Sequence, residues 1–332
     1  MSLRTPYLLF LGDAPDMLAA KVALGIRQWR PENCVGQFRM AGCNADCGLT
    51  DMTIAEAVAA GAQTLVIGVA NRGGTISQAW IDVLKQAMEA GMDLAAGLHN
   101  RLADEPQLVA TAQRLGRALH DVRVPERQYP IGTGQKRSGL RLLAVGTDCS
   151  CGKMYTALAL EAEMKRRNRP ATFRATGQTG ILITGDGVPL DAVVADFMAG
   201  AIEELTPDNH PEHWDMVEGQ GSLMHPSYSG VTMALIHGAQ PDALVVCHEP
   251  TRTHMRGLPH QRVPSIEEIM AFCLTAARVV NPAARFVGAA INTHALGEAE
   301  AHACLEEIER RIGLPTVDPV RTGVGRIVDA LE

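Results

Sequence analysis

A run of apolar residues that empties into a glycine-rich turn and then into a helix restricts this chain more than any other feature. Leu140 to Val145 reads as a buried strand, Gly146-Thr147-Asp148-Cys149-Ser150-Cys151-Gly152-Lys153 as the turn, and Met154 to Arg167 as the helix. A turn so placed presents unpaired backbone N–H groups and the positive end of a helix dipole, and an anion there is stabilised without further devices. Gly152 lets the backbone approach a phosphate and Lys153 adds a point charge. Gly146, Thr147, Asp148, Cys149, Ser150, Cys151, Gly152 and Lys153 are therefore the candidate residues for binding a nucleotide-containing ligand. After the lysine, a serine or threonine would ligate the magnesium that bridges two phosphates, but here the residue is Met154, and a thioether does not replace the hydroxyl. Thr156 lies two residues further round the helix and is expected to face elsewhere. The turn is thus expected to hold phosphates without cleaving them. This favours a cofactor such as coenzyme A over ATP as the reactive group, with no metal expected.

Around this point the chain alternates strand-like and helix-length segments, the βαβ rhythm of parallel sheets. In the first part these are Tyr7 to Leu11, Met17 to Trp29, Thr64 to Val69, Ile76 to Ala90, Asp93 to Ala96 and a helix from Glu105 to Leu119. In the second, strands are predicted at Ala171 to Ala175, His213 to Glu218, Ala243 to His248 and Phe286 to Ile291. The matching helices fall near Asp191 to Leu205, Ser229 to His237, Ile266 to Ala277 and Glu298 to Ile312. The expected fold is α/β, with an N-terminal Rossmann-like parallel-sheet domain over residues 1–125, a linker over 126–139 and a P-loop NTPase-like α/β domain over 140–332. At 332 residues two cores are the natural expectation.

A formal net charge of -7 without a basic run argues against nucleic acid, because neutralising its backbone needs clustered Lys and Arg. The eight cysteines are scattered and follow no signal peptide, which fits free thiols in a reducing cytoplasm. Cys43 and Cys47, and Cys149 and Cys151, are close pairs, but neither is followed by a second pair at zinc-ligand spacing. The opening apolar run, Tyr7 to Gly12, is too short to span a membrane. A small-molecule substrate and a homo-oligomeric assembly are expected, without nucleic acid or membrane partners.

Outside the turn, Glu218 ends a strand and is followed by Gly219-Gln220-Gly221, which places a carboxylate where backbone approaches a ligand closely. It suits a metal in an ATP enzyme, or a proton in an acyl transfer to an amine. His225 is the alternative general base, since imidazole titrates near neutrality. Arg252, His254 and Arg256 share one loop after a strand and form a candidate anion clamp, because Arg forks match carboxylates. Asp186 and Asp196 are candidate metal ligands for an ATP enzyme. Ala175 to Gly180 is a ligand loop at a sheet edge. Cys149 and Cys151 are weighed as acyl carriers. The loops Gly12 to Pro15, Gly42 to Gly48 and Asn71 to Gly74 either close over a substrate or merely connect strands.

Gly146-Thr147-Asp148 with Gly152-Lys153, and Glu218-Gly219-Gln220-Gly221, resemble dethiobiotin synthetase and related P-loop amidoligases. That likeness makes Asn292, after Ala290-Ile291, the residue to contact a nucleotide base. Covering nearly the whole chain, Gly146 to Met154, Arg174-Ala175-Thr176-Gly177-Gln178-Thr179-Gly180, Glu218 to Leu223 and His225-Pro226 are similar to a family that joins a Rossmann-like domain to a P-loop domain. Its members are known as D-glutamate N-acetyltransferases. The resemblance implies acetyl transfer from acetyl-CoA to the amine of a D-amino acid, D-glutamate first; by their own chemistry the forks of Arg252 and Arg256 would suit the two carboxylates of an acidic amino acid. The alternatives are an ATP-dependent amidoligase or kinase, with Thr156 or a carboxylate supplying the metal ligand, and a nucleotide-responsive regulatory protein without turnover.

Overall fold

The structure is a computed structural model that describes residues 3–17, 19–69, 76–98, 100–125 and 127–331. The fold is α/β, and its contacts divide the chain into two compact units, Met1–Glu126 with Gly177–Ala192 and Arg127–Thr176 with Val193–Glu332.

In the first unit the strands are β1 (Tyr7–Gly12), β2 (Cys34–Arg39), β3 (Thr64–Ile67), β4 (Asp93–Ala96) and β5 (Leu119–Asp121). They form one parallel sheet in the order β2-β1-β3-β4-β5. Between them run α1 (Lys21–Trp29), α2 (Ile54–Ala59), α3 (Gln78–Glu89) and α4 (Pro106–Leu115). Strands β1, β3 and β4 are buried along their whole length, which is why they read as unbroken apolar runs. Strand β2 escaped the sequence reading because its buried centre holds a polar residue. Gln37 bonds Asp46 at 2.8 Å, Asp51 at 2.9 Å and the Cys47 N–H at 2.8 Å, and so spends its amide organising the loop that follows.

The second unit begins with β6 (Leu140–Gly146) and α5 (Lys153–Arg166), followed by β7 (Ala171–Arg174). The chain then contributes α6 (Gln178–Thr184) to the first unit and returns with α7 (Ala195–Leu205) and β8 (Trp214–Val217). Next come α8 (Ser229–Ala239), β9 (Ala243–His248) and a short antiparallel hairpin, β10 (His254–Met255) with β11 (Leu258–Arg262). The unit closes with α9 (Ile266–Val280), β12 (Arg285–Ile291), α10 (Glu298–Ile312), β13 (Thr316–Val317) and α11 (Gly325–Asp329). Its six strands are parallel in the order β13-β12-β9-β6-β8-β7. Strand β6 thus has β8 on one side and β9 on the other, and the connections leaving it run first one way and then the other. The carboxyl end of such a strand is the switch point where open α/β sheets bind ligands.

Residues 127–139, expected as a linker, are fastened to the second unit. Glu203 accepts the Thr133 and Gly134 N–H groups at 2.8–2.9 Å, and Arg137 donates to the Thr206 carbonyl at 2.7 Å and the Gly238 carbonyl at 2.7 Å. The helix expected from Asp191 starts later, at Ala195, because residues 190–192 form a 3-10 turn.

Candidate active site

The glycine-rich turn joins β6 to α5 at that switch point. Gly146 is required by space, since a Cβ there would lie 2.5 Å from Cys151 Sγ and 3.2 Å from the Cys247 carbonyl. Ser150 and Gly152 adopt left-handed backbone at φ 53° and 110°. Alternating left- and right-handed residues gather successive N–H groups on one side of the chain, forming an anion-binding nest. Among the described residues no acceptor engages the N–H groups of Ser150, Cys151 or Gly152. Lys153, only 5% exposed, folds back over the loop and donates from Nζ to the Asp148 carbonyl at 2.7 Å.

Asp148 is buried and anchors the turn. Its Oδ1 accepts the Cys149 N–H at 2.7 Å, and its Oδ2 accepts Arg252 Nη1 and the Arg256 N–H, each at 2.8 Å. Burial pushes this carboxyl up, but the Arg252 bond and the two backbone amides outweigh it and hold the group below the usual range. Thr147 bonds through its hydroxyl to His248 Nδ1 at 2.9 Å, at the end of β9. Burial, helped by the charges of Arg311 and Arg252, pushes that imidazole down to about 4, so it is neutral at pH 7. His248 opens the arginine-bearing loop that was expected to clamp an anion, but no role of its own was legible for it in the sequence.

Glu218 follows β8, beside β6 in the sheet. Its Oε2 accepts the Thr176 N–H at 2.9 Å and its carbonyl accepts the Thr176 hydroxyl at 2.7 Å. Gly219 brings this segment against the loop: a Cβ there would stand 1.7 Å from the Ala144 carbonyl and 2.8 Å from Lys153 Cδ. His225 is also gathered in, with Nε2 3.9 Å from Asp148 Oδ1 and 3.4 Å from the Arg256 carbonyl. Its Nδ1 accepts the Ser227 N–H at 3.1 Å, so the neutral ring carries its proton on Nε2.

Two family descriptions match the chain, a P-loop domain of unknown function over residues 130–328 and a Rossmann-like domain of unknown function over residues 38–125, both of DUF1611. The chain belongs to the DUF1611 family. A relative from Tritonibacter scottomollicae named D-glutamate N-acetyltransferase is 68% identical over 329 residues, covering 99% of each chain. Another of the same name, from a Pseudoalteromonas species, is 47% identical over 328 residues, again 99% of each. The crystal structure of a DUF1611 family protein from Anabaena variabilis superposes with a TM-score of 0.85 at 33% identity, covering 99% of both chains.

In this DUF1611 chain the remaining candidates separate. Arg252 uses both terminal nitrogens internally, on Asp148, on the Cys149 carbonyl and on Glu249. The Arg256 side chain is exposed, and among the described residues no bond engages it, while His254 is exposed and meets only Thr253, at 3.0 Å. Asn292 leaves the end of β12, donates its N–H to the His248 carbonyl at 2.8 Å, and turns its side-chain oxygen to His294. It stands at the same sheet edge as the loop, with β9 between. In the first unit, Trp80 Nε1 holds Asp13 at 2.9 Å and Gln37 holds the loop 42–48, so both loops have a structural task; Asn71 to Gly74 lie outside the described residues.

Among the described residues, the side chains weighed as metal ligands in the DUF1611 site are largely engaged elsewhere. Thr156 is buried with its hydroxyl on the Gly152 carbonyl at 3.0 Å and near Cys247 Sγ at 3.4 Å, so it does not stand in for the missing hydroxyl beside Lys153. Ligand-type atoms of Asp148, Cys149 and His225 lie within 4.8 Å of one another. The Ser227 bond leaves the neutral His225 ring no lone pair on Nε2, however, and Asp148 is already committed to Arg252. Asp186 and Asp196 are exposed, Asp186 in the other unit. The thiols fit acyl carriage no better: burial raises Cys149 against the pull of Lys153, and Cys151 is sealed, with Sγ 3.1 Å from the Asp148 carbonyl. All eight cysteines are free.

Proposed function

We propose that this protein transfers an acetyl group from acetyl-CoA to the amine of D-glutamate. The reading is carried by the two full-length relatives named D-glutamate N-acetyltransferase, at 68% and 47% identity. The site agrees with it chemically, since the open N–H nest suits phosphates while the hydroxyl that would hold their magnesium is replaced by Met154.

The loop from Gly146 to Lys153 takes the anionic groups of the donor, Lys153 swinging from the Asp148 carbonyl onto them. Glu218 is the general base. It removes a proton from the substrate ammonium, the freed nitrogen attacks the thioester carbonyl, the C–S bond breaks, and coenzyme A leaves as a thiol with the second proton that the nitrogen gives up as the amide forms. His225 is not suited to the same task, because its one lone pair is bound to Ser227; its Nε2 N–H ties the 218–228 segment to the Arg256 carbonyl instead. Since Gly219 packs against the loop, the donor's pantetheine arm must double back for its thioester to reach Glu218. Arg256, with its side chain exposed, is the better candidate of the two arginines for a substrate carboxylate.

Thiol release from acetyl-CoA by the purified protein, with D- and L-amino acids and with chelator in place of ATP and magnesium, tests the proposal. Release with D-glutamate is expected, and a fall of about 10²–10⁴-fold in kcat for Glu218→Gln with the fold intact. No release, with ATP consumed once magnesium is restored, would overturn it in favour of a ligase or kinase.

A further inference from the structure

Arg252 was expected to hold the substrate's carboxylates, yet its guanidinium is turned onto the phosphate-binding loop. Nη1 donates to Asp148 Oδ2 at 2.8 Å and to the Cys149 carbonyl at 2.6 Å, and Nη2 pairs with Glu249, three residues back in the chain. The side chain is 18% exposed and that of Asp148 1%.

Peptide planarity turns the second of these bonds into a consequence for ligand binding. In a trans peptide the C=O and the next residue's N–H point in opposite directions. Fixing the Cys149 carbonyl on Arg252 therefore aims the Ser150 N–H away from Arg252, as one of the three consecutive N–H groups that have no acceptor among the described residues. The same peptide leads into Ser150 at φ 53°, a conformation that a residue with a side chain adopts only when its surroundings impose it. Asp148 fixes the preceding peptide, since its Oδ1 takes the Cys149 N–H. The bonds from Arg252 and Asp148 thus bracket the residue whose backbone opens the nest.

We propose that Arg252 is a positioning residue that pre-organises the N–H nest for the donor's anion by gripping the Cys149 carbonyl and the Asp148 side chain. The inference rests on the proposed transfer reaction for the identity of the anion, but not for the state of the loop. An aligned nest spares the ligand the cost of ordering it, and its loss weakens donor binding without touching the acceptor or the base.

The test compares Arg252→Met, Arg252→Lys and the double variant Arg252→Met with Ser150→Gly. The KM values for acetyl-CoA and D-glutamate are measured separately, affinities for coenzyme A and inorganic pyrophosphate by calorimetry, and amide exchange across residues 149–153 without ligand. For Arg252→Met we expect faster loop exchange and a rise of about tenfold in donor KM and in the dissociation constants, as suits a lost charge-assisted bond, with the D-glutamate KM unchanged. Arg252→Lys recovers little, because an ammonium lacks the planar fork that spans both acceptors. Ser150→Gly recovers part of the loss, since glycine enters the left-handed region freely. A raised D-glutamate KM with unchanged donor KM would overturn the proposal and make Arg252 the acceptor's clamp; unchanged loop exchange would overturn it as well. If the unaltered protein binds neither coenzyme A nor pyrophosphate, the donor assignment falls, while the exchange comparison still decides the role of Arg252. Should Arg252→Met fail to fold, Arg252→Gln, which keeps one donor group, gives the same contrast.

Discussion

At the scale of single residues the site is a set of charges and lone pairs whose roles are fixed by their hydrogen bonds rather than by residue type. His225 and His248 make the point. Both are histidines beside the loop, but one has its lone pair taken by a backbone amide and the other is pushed down to about 4 by burial, so neither resembles the free imidazole that a sequence suggests. His248 carries a testable consequence. Its folded-state pKa lies below the unfolded value near 6.5, so the unfolded chain binds the proton first and stability rises with pH between the two values. Above about pH 6.5 the group contributes nothing to the pH dependence; as pH falls from there to about 4 the fold loses on the order of 3 kcal/mol through it. Urea midpoints at pH 7 and pH 4.5 check this: His248→Gln, which keeps an acceptor for Thr147, is expected to lose clearly less stability on acidification than the unaltered protein. Equal losses in the two would remove His248 as a source of acid sensitivity.

At the scale of elements, strand ends and helix starts matter unequally. Helix α9 opens with a capping box in which the Ser265 hydroxyl accepts the Glu268 N–H and the Glu268 side chain accepts the Ser265 N–H. Ser265→Ala is expected to cost about 1 kcal/mol of stability and to leave activity unchanged, because the cap serves only its own helix. Gly219→Ala is the contrasting case. Its Cβ would be driven onto the Ala144 carbonyl at 1.7 Å, inside the strand that carries the loop, and relief requires one of two central strands to move. A loss of at least about 1–3 kcal/mol, with acetyl transfer abolished, is the expected outcome in thermal melts and thiol-release assays. A stable and active Gly219→Ala protein would show that the close approach of β8 to β6 is dispensable.

At the scale of the whole molecule the chain is not two beads in sequence. Helix α6 lies between β7 and α7 in the chain but packs within the first unit, where Gly180, Ile181, Leu182 and Ile183 are buried. A fragment of residues 127–332 would therefore expose that apolar stretch. Such a fragment is expected to aggregate on purification, whereas the same fragment with residues 177–192 replaced by a glycine-serine linker should stay in solution, as size-exclusion chromatography would report. Equal solubility of the two fragments would mean that α6 does not depend on the first unit for its burial. Among the described residues no helix is long and apolar enough to cross a membrane.

The α/β class, the two sheets and the phosphate loop are all legible in the chain itself, because a doubly covered parallel strand must be continuously apolar and a strand feeding directly into a glycine-rich turn and a helix has few other uses. Some of the missed elements take their identity from partners, whereas α2 carries a local capping box of Thr53 and Glu56 that went unread. Strand β2 is polar at its buried Gln37, β13 has only two residues, and α6 takes its burial from distant parts of the chain. In the candidate site the same division holds. Local order supplied Gly146, Gly152 and Lys153, since a loop's own backbone makes the nest. That Arg252 grips the loop is decided only when residues far apart in the chain meet, while the bonds of His225 to Ser227 and of Thr156 to Gly152 are local in sequence but still depend on direction and distance, which residue type alone does not give.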